Sequence, residues 1–121
     1  LTDRAIMATV SEDFEMPGKL YGQQWPVDPA PPRKMNLTVF KINNLVIASI
    51  SGEVFAEIGM KIKETSPYKN TFVFSLTNGT WYYIPTAEAF KEGGYEVKSS
   101  TNTPEGEGII LTRLDRLIRG L

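Results

Sequence analysis

The chain has 121 residues, of which 41% are hydrophobic and 22% charged, and its formal net charge is −1. This composition excludes collagen-like, coiled-coil and wholly disordered chains, and the length allows one domain at most. A near-neutral chain has no electrostatic reason to hold a phosphate backbone, so nucleic acid is not an expected partner. The longest strongly apolar run, Leu45 to Ile50, is far shorter than the roughly 20 residues of a membrane helix, so we expect no membrane span.

Residues 1–34 are predicted to form a Pro-rich N-terminal arm. Four prolines fall between positions 26 and 32, where they disfavour helix. We expect an extended loop over a surface, with Trp25 as its one large apolar anchor. Residues 1–10 fit a strand or a short helix equally well. The opening Leu1 suggests that residues upstream are missing, and no signal-peptide pattern is visible.

Residues 35–121 are predicted to form an α/β segment. The pair Asn43-Asn44 joins a β-rich run to the apolar run 45–50, which indicates a hairpin. A helix is expected to open at Glu53, with Val54, Phe55, Ile58 and Ile62 on one face, and to stop at Ser66-Pro67. The run 71–76 is a further buried strand. Together these elements predict a βαβ unit with parallel strands.

The remaining segment predicts two helices and a loop. Thr86 is a credible N-cap for a short helix that Gly93-Gly94 ends. The polar stretch 99–108 is expected to be a mobile loop. The last run, 109–121, has the periodicity of an amphipathic helix. The predicted fold class is therefore α/β: a βαβ unit, an N-terminal hairpin or arm, and a C-terminal amphipathic helix.

Candidate chemistry lies where the predicted parallel strands end. Glu53 follows one strand, and the aromatic run Trp81 to Tyr83 follows the next. Carboxyl ends of parallel strands share one edge, so these residues could form a hard-oxygen metal pair. The same residues are also typical of helix capping and of aromatic packing. The absence of Cys excludes thiolate sites, and the absence of His excludes imidazole ligands or bases from these 121 residues.

Residues 46–97 resemble the neutral/alkaline ceramidase family. The motifs that carry the resemblance are a Gly-Glu at a strand end followed by a helix, and a later stretch with a Tyr-Ile-Pro-Thr element and a closing Tyr-Glu. In this sequence they are Ile50-Ser-Gly-Glu53 and Phe74-Ser-Leu-Thr-Asn-Gly-Thr-Trp-Tyr-Tyr-Ile-Pro-Thr-Ala-Glu-Ala-Phe-Lys-Glu-Gly-Gly-Tyr-Glu96.

The resemblance implies a zinc-dependent hydrolase that cleaves ceramide, an N-acyl amide, into sphingosine and a fatty acid. The family's zinc is held by two His, one Glu and one Tyr, and a Ser takes part in cleavage. The motifs assign the family's zinc Glu to Glu53 and its zinc Tyr to Tyr83. An alignment shifted by one residue would assign the zinc Tyr to Tyr82 instead. The motifs assign no catalytic residue to this chain. The resemblance also favours a secreted or periplasmic location.

The sequence lacks the family's zinc histidines and its serine motif. It has Ser51 where the family usually has Pro, and its helix between the two motifs is shorter than in the family. We therefore expect the C-terminal part of a catalytic domain whose remainder supplies the His ligands and whose substrate is a lipid amide. The isolated chain should hold no zinc and cleave no amide. The alternatives are a non-catalytic ligand-binding or interaction domain on the same scaffold, and a purely structural domain.

Overall fold

The computed structural model describes residues 7–27, 30–76 and 83–121. Strands and helices both occur there, so the predicted α/β class is confirmed. In chain order the elements are β1 (Met7–Gly18), β2 (Ala30–Ile42), β3 (Leu45–Ile50), β4 (Glu53–Val54), α1 (Ala56–Thr65), β5 (Asn70–Phe74), β6 (Tyr83–Ile84), α2 (Ala87–Glu92), α3 (Tyr95–Lys98) and α4 (Gly106–Arg119). Within these ranges, no helix is long and apolar enough to cross a bilayer.

Four strands form the large sheet, in the order β1-β2-β3-β5. The pairs β1–β2 and β2–β3 are antiparallel, and β3–β5 is parallel. The predicted hairpin is confirmed, because Ile42 pairs with Leu45 across Asn43-Asn44. Asn43 has a φ of 53°, a left-handed conformation that Asn tolerates better than most residues. The parallel β5 is reached through α1, which lies between β3 and β5 in sequence.

The inner face of the large sheet packs against α1 and α4, and this contact is the core. Alternate strand residues point to it, as the two-residue period of a strand requires. Its central row joins Val10, Val39, Ala48 and Val73 across the four strands. The buried apolar residues of the core are Phe14, Met16, Met35, Leu37, Val39, Val46, Ala48, Ile50, Ile58, Ile62, Ile84, Ile110, Leu114 and Ile118.

Charged side chains fix α4 to the first strand. The Glu12 carboxylate accepts hydrogen bonds from Arg113 Nη1 at 2.5 Å and from Arg116 Nη2 at 2.8 Å. The Arg113 guanidinium also lies 4.1 Å from the centroid of the Phe14 ring, which adds a cation–π contact. These contacts join residues about 100 positions apart in the chain.

The Pro-rich stretch is only partly the loop that its composition predicts, because from Ala30 onward it is strand. Pro31 is the second residue of β2 and lies next to an irregularity in the pairing with β1, between Met16 and Gly18. Proline is tolerated in a sheet at such a place, since its missing N–H breaks no regular ladder bond. A Cβ at Gly18 would lie 2.3 Å from the Pro31 carbonyl oxygen, so this close approach requires glycine.

Two further predictions are corrected. The helix opens at Ala56 and not at Glu53, because Glu53–Val54 pairs as β4. Glu53 therefore does not lie at the N-terminus of α1. The polar stretch 99–108 is not a mobile loop: residues 99–103 are buried and residues 106–108 belong to α4.

Candidate functional site

Glu53 and Tyr83 are cross-strand partners in a second, two-stranded sheet. This small sheet pairs β4 with β6 in parallel, with Glu53 opposite Tyr83 and Val54 opposite Ile84. Side chains of directly opposite residues lie on the same face of a sheet. The two predicted metal ligands are thus brought together, on a short sheet that follows β3 and not at the ends of the predicted parallel strands themselves.

Short backbone contacts attach β4 to the large sheet. The Leu76 N–H, two residues beyond β5, donates to the Gly52 carbonyl at 3.1 Å, directly before β4. The Phe55 N–H extends the small sheet itself by donating to the Ile84 carbonyl of β6 at 3.1 Å. Ser51 N–H donates to the Asn36 carbonyl at 3.1 Å, while its hydroxyl accepts from Asn36 N–H at 2.8 Å. A proline at position 51 would lose both bonds, so the departure from the family's usual residue has a local structural role here.

A buried polar segment, residues 99–103, braces Tyr83 through its backbone. The Tyr83 carbonyl accepts from Ser100 Oγ at 2.6 Å and from Asn102 Nδ2 at 2.9 Å. Ser100 Oγ in turn accepts from Asn102 N–H at 2.9 Å. Ser100 and Asn102 are buried, and their hydrogen bonds offset the cost of removing these side chains from water. The brace therefore fixes the position from which the Tyr83 side chain projects.

Lys19 anchors this brace to the end of β1. Its N–H donates to the Thr101 carbonyl at 2.8 Å, and Gly18 forms an isolated bridge with Asn102. The Lys19 side chain is only 2% exposed, and its ammonium donates to the carbonyls of Leu20, Gln23 and Lys98 at 3.0, 2.5 and 3.3 Å. Burial lowers the pKa of Lys19. The three carbonyls compensate part of the cost of burying a charged ammonium.

Tyr83 lies near two carboxylates and two further phenols. Burial, and then the charges of Glu53, Tyr95, Glu96 and Tyr21, raise the pKa of the Tyr83 phenol above its ordinary value. The Tyr95 ring packs edge-on against Tyr83 with the centroids 6.1 Å apart. Of the causes after burial, the two carboxylates, Glu53 and Glu96, would favour a nearby cation.

The N-terminus of α2, which follows β6, is fixed by its own cap and by a side chain of α4. The predicted N-cap is confirmed: Thr86 Oγ1 accepts from Ala89 N–H at 3.1 Å, and Gly93 caps the other end of α2. The buried Glu107 carboxylate accepts from Ala87 N–H at 2.9 Å and from Lys61 Nζ at 2.6 Å. Burial alone would raise the pKa of Glu107, but these bonds outweigh burial and lower it.

Glu53 and Tyr83 supply two oxygen donors and no more. Within residues 7–27, 30–76 and 83–121, no group of three or more His, Cys, Asp or Glu side chains is arranged to hold a metal ion. Trp81 and Tyr82 lie outside the described residues. The sequence did not indicate the brace at residues 99–103, Lys19 or Glu107. The polar run next to a proline has the composition of a surface loop.

Comparison with known proteins does not assign a family. No protein-family model matches the chain, and no curated protein sequence matches it. The interpretation of the site therefore depends on its own geometry and on the motifs that carry the resemblance.

Proposed function

We propose that this chain is the C-terminal part of a zinc-dependent amide hydrolase of the neutral/alkaline ceramidase type, and that Glu53 and Tyr83 are its zinc ligands. Its substrate would be ceramide or a related N-acyl lipid amide. In this proposal β3, α1 and β5 form the family's βαβ unit, and α4 is its amphipathic closing helix. The other zinc ligands, two imidazoles, come from a polypeptide segment outside these 121 residues.

The observation that carries the proposal is the pairing of Glu53 with Tyr83 in the small sheet. The two residues are 30 positions apart in sequence, yet the fold makes them cross-strand neighbours. Hydrogen bonds from Ser100 and Asn102 fix the Tyr83 carbonyl and so hold the backbone from which the phenol projects beside Glu53.

The residues present fit half of a catalytic zinc shell. Zinc takes four ligands, with carboxylate oxygens at about 2.0–2.2 Å, and a catalytic site keeps one position for water. When bound, the metal would supply a Lewis acid and a water of lowered pKa. Glu53 and Tyr83 would hold and orient it. The negative charge of Glu96, and of Glu53 itself, would stabilise the cation.

The test compares the 121-residue chain with the longer polypeptide of its reading frame. The short chain should bind no zinc stoichiometrically, melt at the same temperature with and without a chelator, and release no fatty acid from ceramide. The longer polypeptide should release fatty acid only when zinc is present. In it, Glu53→Gln or Tyr83→Phe should lower both zinc content and amide cleavage.

Matched controls separate a role in the site from general damage. Glu57→Gln changes an exposed carboxylate on α1, and Tyr68→Phe changes a phenol two residues before β5, away from its carboxyl end. Both should retain zinc and activity. Activity of the short chain alone would refute the division of the site between two segments. Unchanged zinc content after both Glu53→Gln and Tyr83→Phe would refute the ligand assignment.

A second candidate is a non-catalytic binding domain on the same scaffold. It is favoured by the rings of Tyr21 and Tyr95, which are 58% and 67% exposed next to the Glu53–Tyr83 pair. Exposed aromatic rings with carboxylates form a surface for a cationic or polar-headed ligand. Chemical-shift changes at Tyr95 on titration with an N-acyl lipid amide, in a chain without zinc or activity, would support this candidate.

A further inference from the structure

A cleft with a volume of about 510 Å³ lies at the end of β1, where the loop after β1, the start of β2 and the chain before α4 meet. Small-molecule sites have volumes of about 300–1,000 Å³. The residues that give this cleft its chemistry are Glu15, Pro17, Trp25, Pro32, Thr103 and Glu105. Among the described residues, neither Glu53 nor Tyr83 lines it, so the cleft is a separate candidate site.

The outer face of the large sheet, which points away from α1 and α4, forms one wall of the cleft. Phe14 belongs to the core, so Glu15, the next residue of β1, points to the outer face. Pro32 lies three positions before Met35, another core residue, and therefore points to the outer face as well. Pro17 also lines the cleft. Because proline rings restrict the backbone, this wall is rigid before a ligand binds.

Trp25 forms the aromatic wall and is held in place by contacts outside the cleft. Its ring packs edge-on against Phe90, with the centroids 6.0 Å apart and the planes at 79°. The preceding residue is also fixed, because Gln24 Nε2 donates to the Gly94 carbonyl at 3.0 Å. Trp25 is half-buried, and the exposed part of its side chain lines the cleft. A ligand would therefore meet an aromatic surface that needs little further ordering.

Two carboxylates supply the charge of the lining. Glu15 and Glu105 are both exposed, the first on β1 and the second directly before α4. The buried Thr103 donates from Oγ1 to Glu105 Oε2 and so restrains that carboxylate. Within residues 7–27, 30–76 and 83–121, no Lys or Arg lines the cleft. Two glutamates without a lysine or arginine give the described lining a formal charge of −2.

The cationic side chains around the cleft form no ion pair with its carboxylates in the part of the chain that the structure describes. Lys34 is the cross-strand partner of Glu15, but it does not line the cleft. Arg113 and Arg116 line a neighbouring groove, and both bind the Glu12 carboxylate. The two carboxylates of the cleft are thus left to a ligand.

We infer that the cleft binds a small organic ammonium ion with an aromatic or aliphatic body. Its ammonium group would donate hydrogen bonds to Glu15 and Glu105, and hydrogen bonds between ionised groups are roughly twice as strong as neutral ones. The indole of Trp25 attracts cations more strongly than other aromatic rings do. The apolar body would lie along Pro17 and Pro32, where it leaves water. An anionic ligand would be repelled by both glutamates.

The test follows the two indole N–H signals of the 121-residue chain by NMR. The chain has two Trp, and the signal that is lost in Trp81→Phe belongs to Trp81, so the other one reports on the cleft. Three titrants share one skeleton and differ in charge: phenethylammonium, phenethyl alcohol and phenylacetate. Their affinities are obtained from the shift of the Trp25 signal.

We expect phenethylammonium to bind at least about tenfold more tightly than phenethyl alcohol, which corresponds to roughly 1.4 kcal/mol, and phenylacetate to bind more weakly than the alcohol. Glu15→Gln combined with Glu105→Gln should reduce the affinity for the ammonium to that for the alcohol and leave the affinity for the alcohol unchanged. Glu57→Gln combined with Glu64→Gln, two exposed carboxylates of α1, is the matched control and should change neither affinity.

Equal affinities for the ammonium and the alcohol in the unmodified chain would overturn the inference, and so would the absence of any shift with the ammonium. A shift confined to the Trp81 signal would place the ligand elsewhere and refute the assignment to this cleft. A preference for the ammonium that survives the substitutions of both glutamates would refute it too. If the combined variant melts at a lower temperature than the parent, Glu15→Gln alone carries the test and should still reduce the preference. Neither readout involves zinc or amide cleavage, so this inference and the proposed function fail independently.

Discussion

The large sheet and the small sheet are stabilised in different ways. The large sheet is held by apolar side chains that alternate along its strands and pack against α1 and α4. The small sheet has two residues in each strand; it contributes Ile84 to the core, and its Tyr83 is held by hydrogen bonds from Ser100 and Asn102. Overall stability and the geometry of the candidate site are thus separable properties, and mutations should affect one without the other.

The largest effect is expected in the large sheet. Leu37 is fully buried on the inner face, so Leu37→Ala should lower the free energy of unfolding by about 2–5 kcal/mol through lost burial and a residual cavity. Ile47→Ala, on the outer face of the neighbouring strand, should cost less than about 1.5 kcal/mol, because Ile47 is only partly buried. Urea unfolding measures both; equal losses would contradict the assignment of the two faces.

Removal of the brace should have a smaller effect, concentrated at the small sheet. Ser100→Ala deletes a donor to the Tyr83 carbonyl and leaves the Asn102 N–H without its acceptor. We expect a loss of about 1–3 kcal/mol, since a buried donor is left unsatisfied. Amide hydrogen exchange should accelerate at Phe55, whose N–H binds the Ile84 carbonyl of β6, more than at Val39. Thr112→Ala, on the exposed side of α4, is the control. A uniform acceleration would argue against a local brace.

The ion pair at the junction of α1, α2 and α4 gives a pH-dependent effect. Glu107→Gln should destabilise the protein by about 1–2 kcal/mol at neutral pH, because it removes the charge that binds Lys61. The folded pKa of Glu107 is lowered, so its stabilisation is fully present above the ordinary glutamate pKa and disappears as the pH falls through the lowered value. Thermal melts of both proteins from pH 7 to pH 3 should therefore converge. A constant difference, or one equal to that of the exposed Glu57→Gln, would refute this role.

The smallest effect on stability is expected at the candidate site itself. Glu53 is exposed, so Glu53→Gln should change the free energy of unfolding by no more than about 0.5 kcal/mol. It should nevertheless lower the pKa of the Tyr83 phenol toward its ordinary value, because the Glu53 charge is one of the causes that raise it. NMR titration of ring-labelled tyrosine measures this. Asp115→Asn on α4 is the control and should leave the Tyr83 pKa unchanged.

The parts of the fold that sequence could predict are those with local causes. The Asn43-Asn44 turn and the Thr86 cap depend on the conformational preferences and hydrogen bonds of a few adjacent residues, and both were predicted correctly. The apolar runs also identified β3 and most of β5. The class of the fold followed from the alternation of these elements.

The surroundings of the site could not be predicted, because their causes are distant in sequence. The donors to the Tyr83 carbonyl lie 17 and 19 positions further along the chain. Lys19 is a charged residue whose burial is compensated by backbone carbonyls, and a hydropathy pattern shows no sign of that arrangement. The pairing of β4 with β6 involves two residues on each side, which is below the length at which periodicity identifies a strand.

The ion pairs from Glu12 to α4 bear on the order in which the chain folds during synthesis. Strands β1 to β3 are complete at residue 50, whereas the helix that covers their inner face ends at residue 119. At about 5–20 residues per second, the ribosome needs roughly 3–14 s to close this interval. During that time the apolar inner face has no α4 to cover it. Nascent chains arrested before α4 should accordingly bind holdase chaperones, and release should coincide with the emergence of Arg113 and Arg116.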